Sequence, residues 1–389
     1  MSPRRPTLAE RRRAAISRNG ELAPLLPPTG AFVAALAVVV ALVLVGLVMV
    51  LSASSIVAIN NGGSPWNMFR RQLLWAAFGL LAGLASYRMP YRMWGALSPW
   101  FLGMCLGLMA LPFVPGVGVT VNGARAWVEV SGVGFQPSEA LKVGVVVFLA
   151  SLLGRRQAEA HDPKRVFRPA AIVWGVAACA CLAQRDVGAA IVFTCIVVAM
   201  MFVAGVPVRL VAGLVAMSLA GAAAVVATSE RLQGRFFAFL NLEESRADQG
   251  YQVWQSILSI SNGGILGTGA GEGTSKWGYV PLAHSDFIFA VVAEEFGLIG
   301  SAIVLGGFLV LLGAGLRASL RAVDAQGALL ASGITAWLCI QAAINIGGVV
   351  GALPVTGLTL PFISYGGSSL FAVMAASGLL LNVARHPKP

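Results

Sequence analysis

The stretch from Ala31 to Leu51 reads AFVAALAVVVALVLVGLVMVL and holds no charged residue. As an α-helix, these 21 residues are long enough to cross the roughly 30 Å hydrocarbon core of a bilayer. Arginine-rich sequence precedes the run, as in a signal peptide, but the run exceeds the roughly 7 to 15 apolar residues of a signal-peptide core. It therefore predicts an uncleaved first transmembrane helix.

Comparable apolar runs recur along the whole chain. With 57% apolar and only 11% charged residues among 389, the sequence has too little polar surface for a protein surrounded by water. The predicted fold is an all-α integral membrane protein of about ten transmembrane helices, with a large extracytoplasmic loop, 229–285, between helices 7 and 8. The predicted spans are 31–54, 71–87, 94–114, 138–154, 169–184, 187–206, 208–228, 286–316, 327–350 and 366–384.

The charged residues between the spans predict the orientation of the chain. An even number of spans places both termini on one side, and that side carries 18 of the 27 Lys and Arg residues but only five of the 16 acids. The positive-inside rule identifies it as the cytoplasmic side. The predicted domains are a cytoplasmic basic tail (1–28), a membrane domain (29–385) and a short cytoplasmic tail (386–389).

The predicted outer side nevertheless holds nine basic residues, which orientation alone does not explain. They are not interleaved with aromatic residues as in a nucleic-acid site, so no nucleic acid is expected. Two interpretations stay open: they bind an anionic ligand, or they pair with the nine acids of the same side. The nine are Arg70, Arg71, Arg125, Lys142, Arg185, Arg231, Arg235, Arg246 and Lys276.

The sequence predicts neither a disulfide nor a protein-held metal. All five cysteines lie inside apolar runs, where cysteine behaves as a small hydrophobic residue. The three histidines, His161, His284 and His386, form no metal-binding or catalytic motif.

Asp286 has two possible roles. It stands where a long apolar helix is predicted to begin, so its carboxylate could cap that helix by accepting backbone N–H bonds. It could instead act as a general base near the outer membrane surface. Capping would lower its pKa and weaken it as a base, so the two roles compete.

Three further segments carry polar residues in unusual places. The run from Gly267 to Lys276 is rich in glycine but lacks the ending of a nucleotide-binding loop and lies outside, where ATP is absent. Group transfer there requires a substrate with its own leaving group, such as a lipid-linked diphosphate sugar, whose anionic diphosphate would suit the outward Arg and Lys residues. Glu294 and Glu295 follow inside the apolar helix, where one is expected to serve helix contacts. Residues 353–369 combine prolines and glycines at membrane depth and predict the wall of a cavity.

These residues carry a family resemblance that extends from the first span to the last. The chain resembles the SEDS (shape, elongation, division, sporulation) glycosyltransferases, FtsW and RodA. The matching motifs are Asn122-Gly-Ala-Arg125-x-Trp127, Gln136-Pro-Ser-Glu139, Gly250-Tyr-Gln252-x-x-Gln255-Ser256, His284-Ser-Asp286-Phe-Ile-Phe-Ala290, Glu294-Glu295-x-Gly297 and Pro361-Phe-Ile-Ser-Tyr-Gly-Gly-Ser-Ser369.

The resemblance implies a peptidoglycan glycosyltransferase that polymerises lipid II at the outer face of the bacterial cytoplasmic membrane. Asp286 matches the acidic residue regarded as catalytic. The resemblance implies no firm cofactor, although a divalent cation is compatible with it. The implied partners are a class B penicillin-binding transpeptidase and other divisome or elongasome proteins. The substrate-binding candidates are Arg71, Arg125, Lys142, Arg231, Arg235, Glu139, Asp186, Lys276, Ser364 and Ser368.

The sequence departs from the family pattern at two places. The family's Gln-Pro-Asp-x-Gly-Thr is Gln184-Arg185-Asp186-Val-Gly-Ala189 here, which puts Arg185 and the local helix start in question, and a single Arg125 replaces the usual pair. The Gly357-Leu-Thr-Leu-Pro361 run favours a division-type FtsW over an elongation-type RodA. A lipid II flippase and a scaffold that only recruits a partner remain as alternatives, although a transporter would place its decisive charges near the midplane of the bilayer.

Overall fold

The computed structural model describes residues 29–60, 62–121, 123–130 and 132–385. The tails 1–28 and 386–389 lie outside the described residues. Twelve α-helices account for most of the described chain: α1 Gly30–Asn60, α2 Asn67–Arg88, α3 Tyr91–Leu108, α4 Pro137–Arg155, α5 Arg168–Ala183, α6 Val187–Val203, α7 Val208–Thr228, α8 Glu230–Leu240, α9 Tyr251–Gly263, α10 Ile288–Leu320, α11 Ala325–Val349 and α12 Gly367–Arg385.

Each of the ten predicted spans coincides with one of these helices. Within the described residues, eight helices are long and apolar enough to cross a membrane. The remaining two predicted spans correspond to α6, which is apolar but shorter, and to α2, whose first turn carries Arg70 and Arg71. The expectation of a multi-pass helical membrane protein is confirmed.

The segment between α3 and α4, predicted only as a loop, contains a small antiparallel sheet. Its strands are β1 Gly118–Val121, β2 Ala124–Val130 and β3 Val133–Phe135, and β2 lies in the middle. Trp127 of β2 faces Val119 of β1 across the ladder, and Val128 faces Phe135 of β3. The Arg125 N–H donates to the carbonyl of Gln184 at 2.9 Å, which attaches the sheet to the turn between α5 and α6.

The large loop 229–285 contains two α-helices. The first of them, α8, covers Glu230–Leu240, and the second, α9, covers Tyr251–Gly263. On α8, Phe236, Phe237 and Leu240 are exposed. The glycine-rich run after α9 folds back against α10.

Helix α10 is interrupted at Gly297, where φ is 62° and ψ is −156°. The break leaves backbone groups without helical partners, and the segment after α9 supplies them. Thr268 N–H donates to the Glu294 carbonyl at 2.9 Å, and Leu298 N–H donates to the Gly264 carbonyl at 2.9 Å. The two irregular segments thus supply hydrogen-bond partners for each other's backbone groups. Backbone at membrane depth needs such partners because no water is available there.

The first and last parts of the chain lie together. The last helix, α12, runs along α2, and a Cβ at Gly378 would collide with the Gly83 backbone, so the two helices approach closely there. The Thr29 hydroxyl donates to the Ala384 carbonyl at 2.8 Å. Helices α4 and α11 lie largely inside the bundle.

Candidate active site

Asp286 lies in the turn just before α10 rather than in the helix itself. Helix α10 begins at Ile288 and its capping residue is Phe287, which makes no side-chain cap hydrogen bond. The interpretation of Asp286 as the helix N-cap is therefore wrong, and its carboxylate is not occupied by that role. The carboxylate lies beside Gly357, where a Cβ would be 3.7 Å from Asp286 Oδ2.

The backbone around Asp286 is held by the C-terminal part of the chain. Three consecutive carbonyls each accept one hydrogen bond: His284 from Tyr365 N–H at 2.9 Å, Ser285 from Ser364 Oγ at 2.6 Å, and Asp286 from Asn345 Nδ2 at 2.7 Å. Ser364, a predicted binding residue, therefore contacts the Asp286 turn directly. The turn is fixed by residues more than 50 positions later in the sequence.

The environment of Asp286 raises its pKa to about 6, chiefly because burial disfavours the charged carboxylate. The positive charge of Arg235 lowers this pKa, while the negative charge of Asp186 raises it. Burial and the neighbouring charge of Arg231 lower the pKa of Arg235 in turn. The predicted site residues Asp286, Arg235, Arg231 and Asp186 thus belong to one electrostatic neighbourhood.

Two clefts open beside these charges. Asp286 and Asn345 line one cleft, and Arg235 lines another together with residues of α9. Val355 belongs to the wall of both clefts. Residues of the segment 353–358 thus contribute to the walls of both clefts, in agreement with the prediction that this segment forms the wall of a cavity.

Arg231 and Arg71 approach the site from two further directions. The Arg231 guanidinium lies over Gly123 in the turn between β1 and β2, which joins α8 to the sheet. Arg71 interacts with the Tyr365 hydroxyl and lowers its pKa against the effect of burial. Next to it, the buried Gln72 Nε2 donates to the Ser364 carbonyl at 3.2 Å.

Asp186 caps α6 and connects to the start of α4. Its Oδ1 accepts from Ala189 N–H and its Oδ2 accepts from Gln136 Nε2, both at 2.9 Å. Ser368 Oγ accepts from the Gln136 N–H at 3.2 Å, so these predicted residues share one partner. Arg185 adopts a φ of 61°, which a proline ring does not allow, and the helix still begins at Val187.

Glu139 and Lys142 form a buried ion pair on α4. Lys142 Nζ donates to Glu139 Oε1 at 2.8 Å and to Gln341 Oε1 at 2.9 Å, and it lies 5.2 Å from the centre of the Trp337 ring. The Lys142 side chain is fully buried. The Lys142 charge is therefore neutralised by Glu139, whereas no carboxylate of the described residues lies within salt-bridge distance of Arg235.

Arg125 and Lys276 bind protein groups elsewhere. Arg125 Nε donates to the Pro112 carbonyl at 2.8 Å, and its guanidinium lies against the Phe113 ring. Lys276 Nζ donates to Glu295 Oε1 at 2.8 Å and to Ser52 Oγ at 3.0 Å. Lys276 therefore lies in a second buried cluster that connects α1, the glycine-rich run and the broken helix α10.

Glu294 completes this second cluster. Its Oε1 accepts from Thr274 N–H at 3.0 Å and its Oε2 accepts from Ser275 N–H at 3.0 Å. Backbone amides of the glycine-rich run thus bind a carboxylate of the protein itself. One of the two glutamates was expected to serve helix contacts, and Glu295 does so by accepting from Ser52 Oγ of α1 at 2.6 Å. Glu294 instead holds the glycine-rich run.

Sequence reasoning missed several polar residues of the site, above all Asn345. An amide within the apolar run of α11 was a usable signal, because a polar side chain at such a position needs a buried partner. Within the described residues, no three His, Cys, Asp or Glu side chains come together as candidate metal ligands.

Comparison with known proteins places this site in a family. The family model of FtsW, RodA and SpoVE, described as cell cycle proteins, matches residues 33–389. The chain is 39% identical over 349 residues to a "Probable peptidoglycan glycosyltransferase FtsW" of Geobacter metallireducens, covering 90% of this chain and 93% of the relative. It is 38% identical over 349 residues to "Stage V sporulation protein E" of Bacillus subtilis, covering 89% and 95%.

A solved structure extends the similarity to three dimensions. A chain from "Structural coordination of polymerization and crosslinking by a peptidoglycan synthase complex" is 30% identical and superposes with a TM-score of 0.74 over 92% of this chain and 98% of that one. Sequence and fold agree over nearly the whole length. The chain belongs to the FtsW/RodA/SpoVE family of cell cycle proteins.

Proposed function

We propose that this protein is a peptidoglycan glycosyltransferase that polymerises lipid II into glycan strands at the outer face of the bacterial cytoplasmic membrane. The observation that carries the proposal is the half-buried carboxylate of Asp286, which is free of a capping role and lies in a cleft within the influence of Arg235. The names of relatives and the synthase complex that shares the fold support the same activity.

In this mechanism Asp286 is the general base. The carboxylate accepts the proton of the C4 hydroxyl on the acceptor GlcNAc as the hydroxyl oxygen attacks C1 of the donor MurNAc. The new glycosidic bond forms, the C1–O bond to the diphosphate breaks, and undecaprenyl diphosphate leaves with the electron pair. A pKa near 6 leaves the base mostly ionised at neutral pH, yet closer to the operating pH than an ordinary carboxylate.

The departing diphosphate needs cations that are not already committed to protein carboxylates. Arg235 and Arg231 of α8 fit this role because they adjoin the Asp286 neighbourhood, and Arg71 reaches it from α2. A guanidinium can donate two parallel hydrogen bonds to a phosphate group. Lys142 and Lys276, by contrast, support the site through their buried ion pairs.

We infer a role in septal division, with both termini in the cytoplasm. The name of the Geobacter relative and the Gly357-Leu-Thr-Leu-Pro361 run support the division role over the elongation role. The distribution of basic residues supports the orientation. The expected partner is a class B penicillin-binding transpeptidase, in line with a fold shared with a chain of a peptidoglycan synthase complex.

The test is polymerisation of purified lipid II by the protein together with its cognate transpeptidase. Asp286→Asn keeps the size of the side chain but removes the base, so glycan product should fall at least about a hundredfold, the lower range for general base catalysis. Glu272→Gln, an exposed acid of the same loop, is the matched control and should retain activity.

Each outcome separates one alternative. Undiminished polymerisation by Asp286→Asn would remove this carboxylate from the mechanism. Absence of polymerisation by the wild-type complex, combined with movement of lipid II across vesicle membranes, would identify a flippase instead. Thermal stability and transpeptidase binding of each variant must match the wild type for either conclusion.

A further inference from the structure

The amide of Asn345 joins the Asp286 turn to the C-terminal segment. Its Nδ2 donates to the Asp286 carbonyl at 2.7 Å and to the Leu358 carbonyl at 2.6 Å. Leu358 follows Gly357, whose backbone lies against the Asp286 carboxylate. One side chain on α11 therefore fixes the distance between the reactive residue and the wall of its cleft.

The two carbonyl partners also fix which way the amide points. Only the NH₂ group can donate to both, so the orientation of the side chain is not ambiguous. Oδ1 is buried and has no partner among the described residues. An unpaired buried acceptor costs roughly 1 to 3 kcal/mol, a cost that a purely structural link would be expected to avoid.

A second asparagine offers a structural comparison within the same chain. Asn382 is as buried as Asn345, with 6% of each residue exposed. Its Nδ2 also donates to two backbone carbonyls, those of Tyr87 and Met89. Asn382 lies near the C-terminal end of α12, far along the helix from the Asp286 turn. Unlike Asn345, it has no buried Oδ1 that lacks a partner among the described residues.

We propose that Asn345 is a positioning residue for Asp286, holding the carboxylate at its place in the cleft through the backbone of residues 286 and 358. This role rests on the proposed glycosyltransferase function for its catalytic consequence, but the positioning itself is a property of the fold. Ser364 and Tyr365 hold the two preceding carbonyls, so Asn345 is the last of three attachments and the one nearest the carboxylate.

The test compares Asn345→Ala with Asn382→Ala in the full-length protein. Hydrogen–deuterium exchange of the peptide 282–290 should be faster by roughly tenfold in Asn345→Ala, the factor expected for loss of one hydrogen bond, and unchanged in Asn382→Ala. In lipid II polymerisation with the transpeptidase, Asn345→Ala should lower kcat by roughly tenfold with KM within about twofold, since the reactive group moves but the diphosphate site does not.

Each variant deletes two hydrogen bonds to backbone carbonyls at similar burial, but Asn345→Ala also removes the unpaired Oδ1, so it should lose no more thermal stability than Asn382→Ala. Equal exchange of 282–290 in the two variants, or an equal loss of kcat, would overturn the positioning role. If Asn345→Ala cannot be purified, Asn345→Ser, which keeps one donor, should give an intermediate effect on both readouts.

The two proposals fail in different ways. A wild-type complex that does not polymerise lipid II would overturn the function, while the exchange of 282–290 would still report whether Asn345 holds the turn. Polymerisation by the wild type with no difference between the two alanine variants would overturn the positioning role alone.

Discussion

At the scale of single residues, the charge state of Asp286 sets the pH dependence of the proposed reaction. Burial raises its pKa from 3.8 to about 6. A general base works when ionised, so kcat should rise with pH through about 6 and level off above it. The measurement is the rate of lipid II polymerisation between about pH 5 and 8. A rate that does not change through pH 6 would argue against a base with this pKa.

Arg235 should tune that pKa. Its positive charge favours the ionised carboxylate, so Arg235→Gln should move the acid limb of the rate profile to higher pH, whereas Arg235→Lys should leave the limb near its wild-type position. If Arg235→Gln lowers the rate without moving the limb, Arg235 acts on the substrate alone.

What the sequence could say about single residues depended on motif and chemistry. Asp286 was identifiable because its motif is specific. The sequence could not show that Asp286 does not cap the helix, because the observed helix begins only two residues after the predicted start. Asn345 was missed because its importance comes from partners 59 and 13 positions away, which no local pattern reveals.

At the scale of elements, the break in α10 depends on one glycine. At Gly297, a Cβ would lie 2.5 Å from Gly267 N and from Ile265 O, in a backbone conformation that other residues avoid. Gly297→Ala should therefore destabilise the protein by at least about 1 to 3 kcal/mol, visible as a lower Tm in detergent.

Gly306 of the same helix provides the control. Nothing lies within 4 Å of a Cβ there, so Gly306→Ala should leave Tm unchanged or raise it slightly, through better helix propensity. Equal Tm values for the two alanine variants would show that the break does not constrain the fold.

The cluster that anchors the glycine-rich run makes a second prediction at this scale. Lys276→Met would leave the Glu295 carboxylate, 1% exposed, without its cation, which should cost about 3 to 5 kcal/mol of stability. The double variant Lys276→Met with Glu295→Gln should recover part of that loss in a thermal unfolding measurement. Additive losses would mean that the two charges do not depend on each other.

Helices were more predictable than the other elements, for a physical reason. A bilayer demands about 20 consecutive apolar residues, and this demand leaves a strong local signal. The sheet between α3 and α4 has short strands with little alternation, and its position depends on Arg125 contacting Gln184 far along the chain. The pairing of residues 264–269 with the break in α10 was likewise invisible, because both segments are irregular.

At the scale of the whole molecule, the orientation of the chain can be measured directly. In a background with the five native cysteines replaced, a cysteine at Glu129 in the sheet should react with a membrane-impermeant maleimide on intact spheroplasts. A cysteine at Gln157, between α4 and α5, should react only after permeabilisation. The reverse pattern would invert the orientation inferred from the basic residues.

The positions of the long apolar helices followed from the sequence, whereas their arrangement did not. Apolar runs predict helices but not which helix meets which, because lipid-facing and helix-facing surfaces are both apolar. The contact of α12 with α2, set by Gly378 against Gly83, joins elements from opposite ends of the sequence. Arg235, Asp186 and Asp286 come from different parts of the sequence, so the apolar runs alone do not predict that their charges act on one another.

The attachments of the Asp286 turn have a consequence for biogenesis. The turn is held by Asn345, Ser364 and Tyr365, so it has none of these bonds while the ribosome is still making the first 340 residues. A nascent chain whose earlier helices are already in the membrane would carry the Asp286 carboxylate but not the scaffold that holds it. Products of stalled translation or of proteolysis before residue 345 should therefore enter the membrane as inert proteins, unable to consume precursor where no wall is being built.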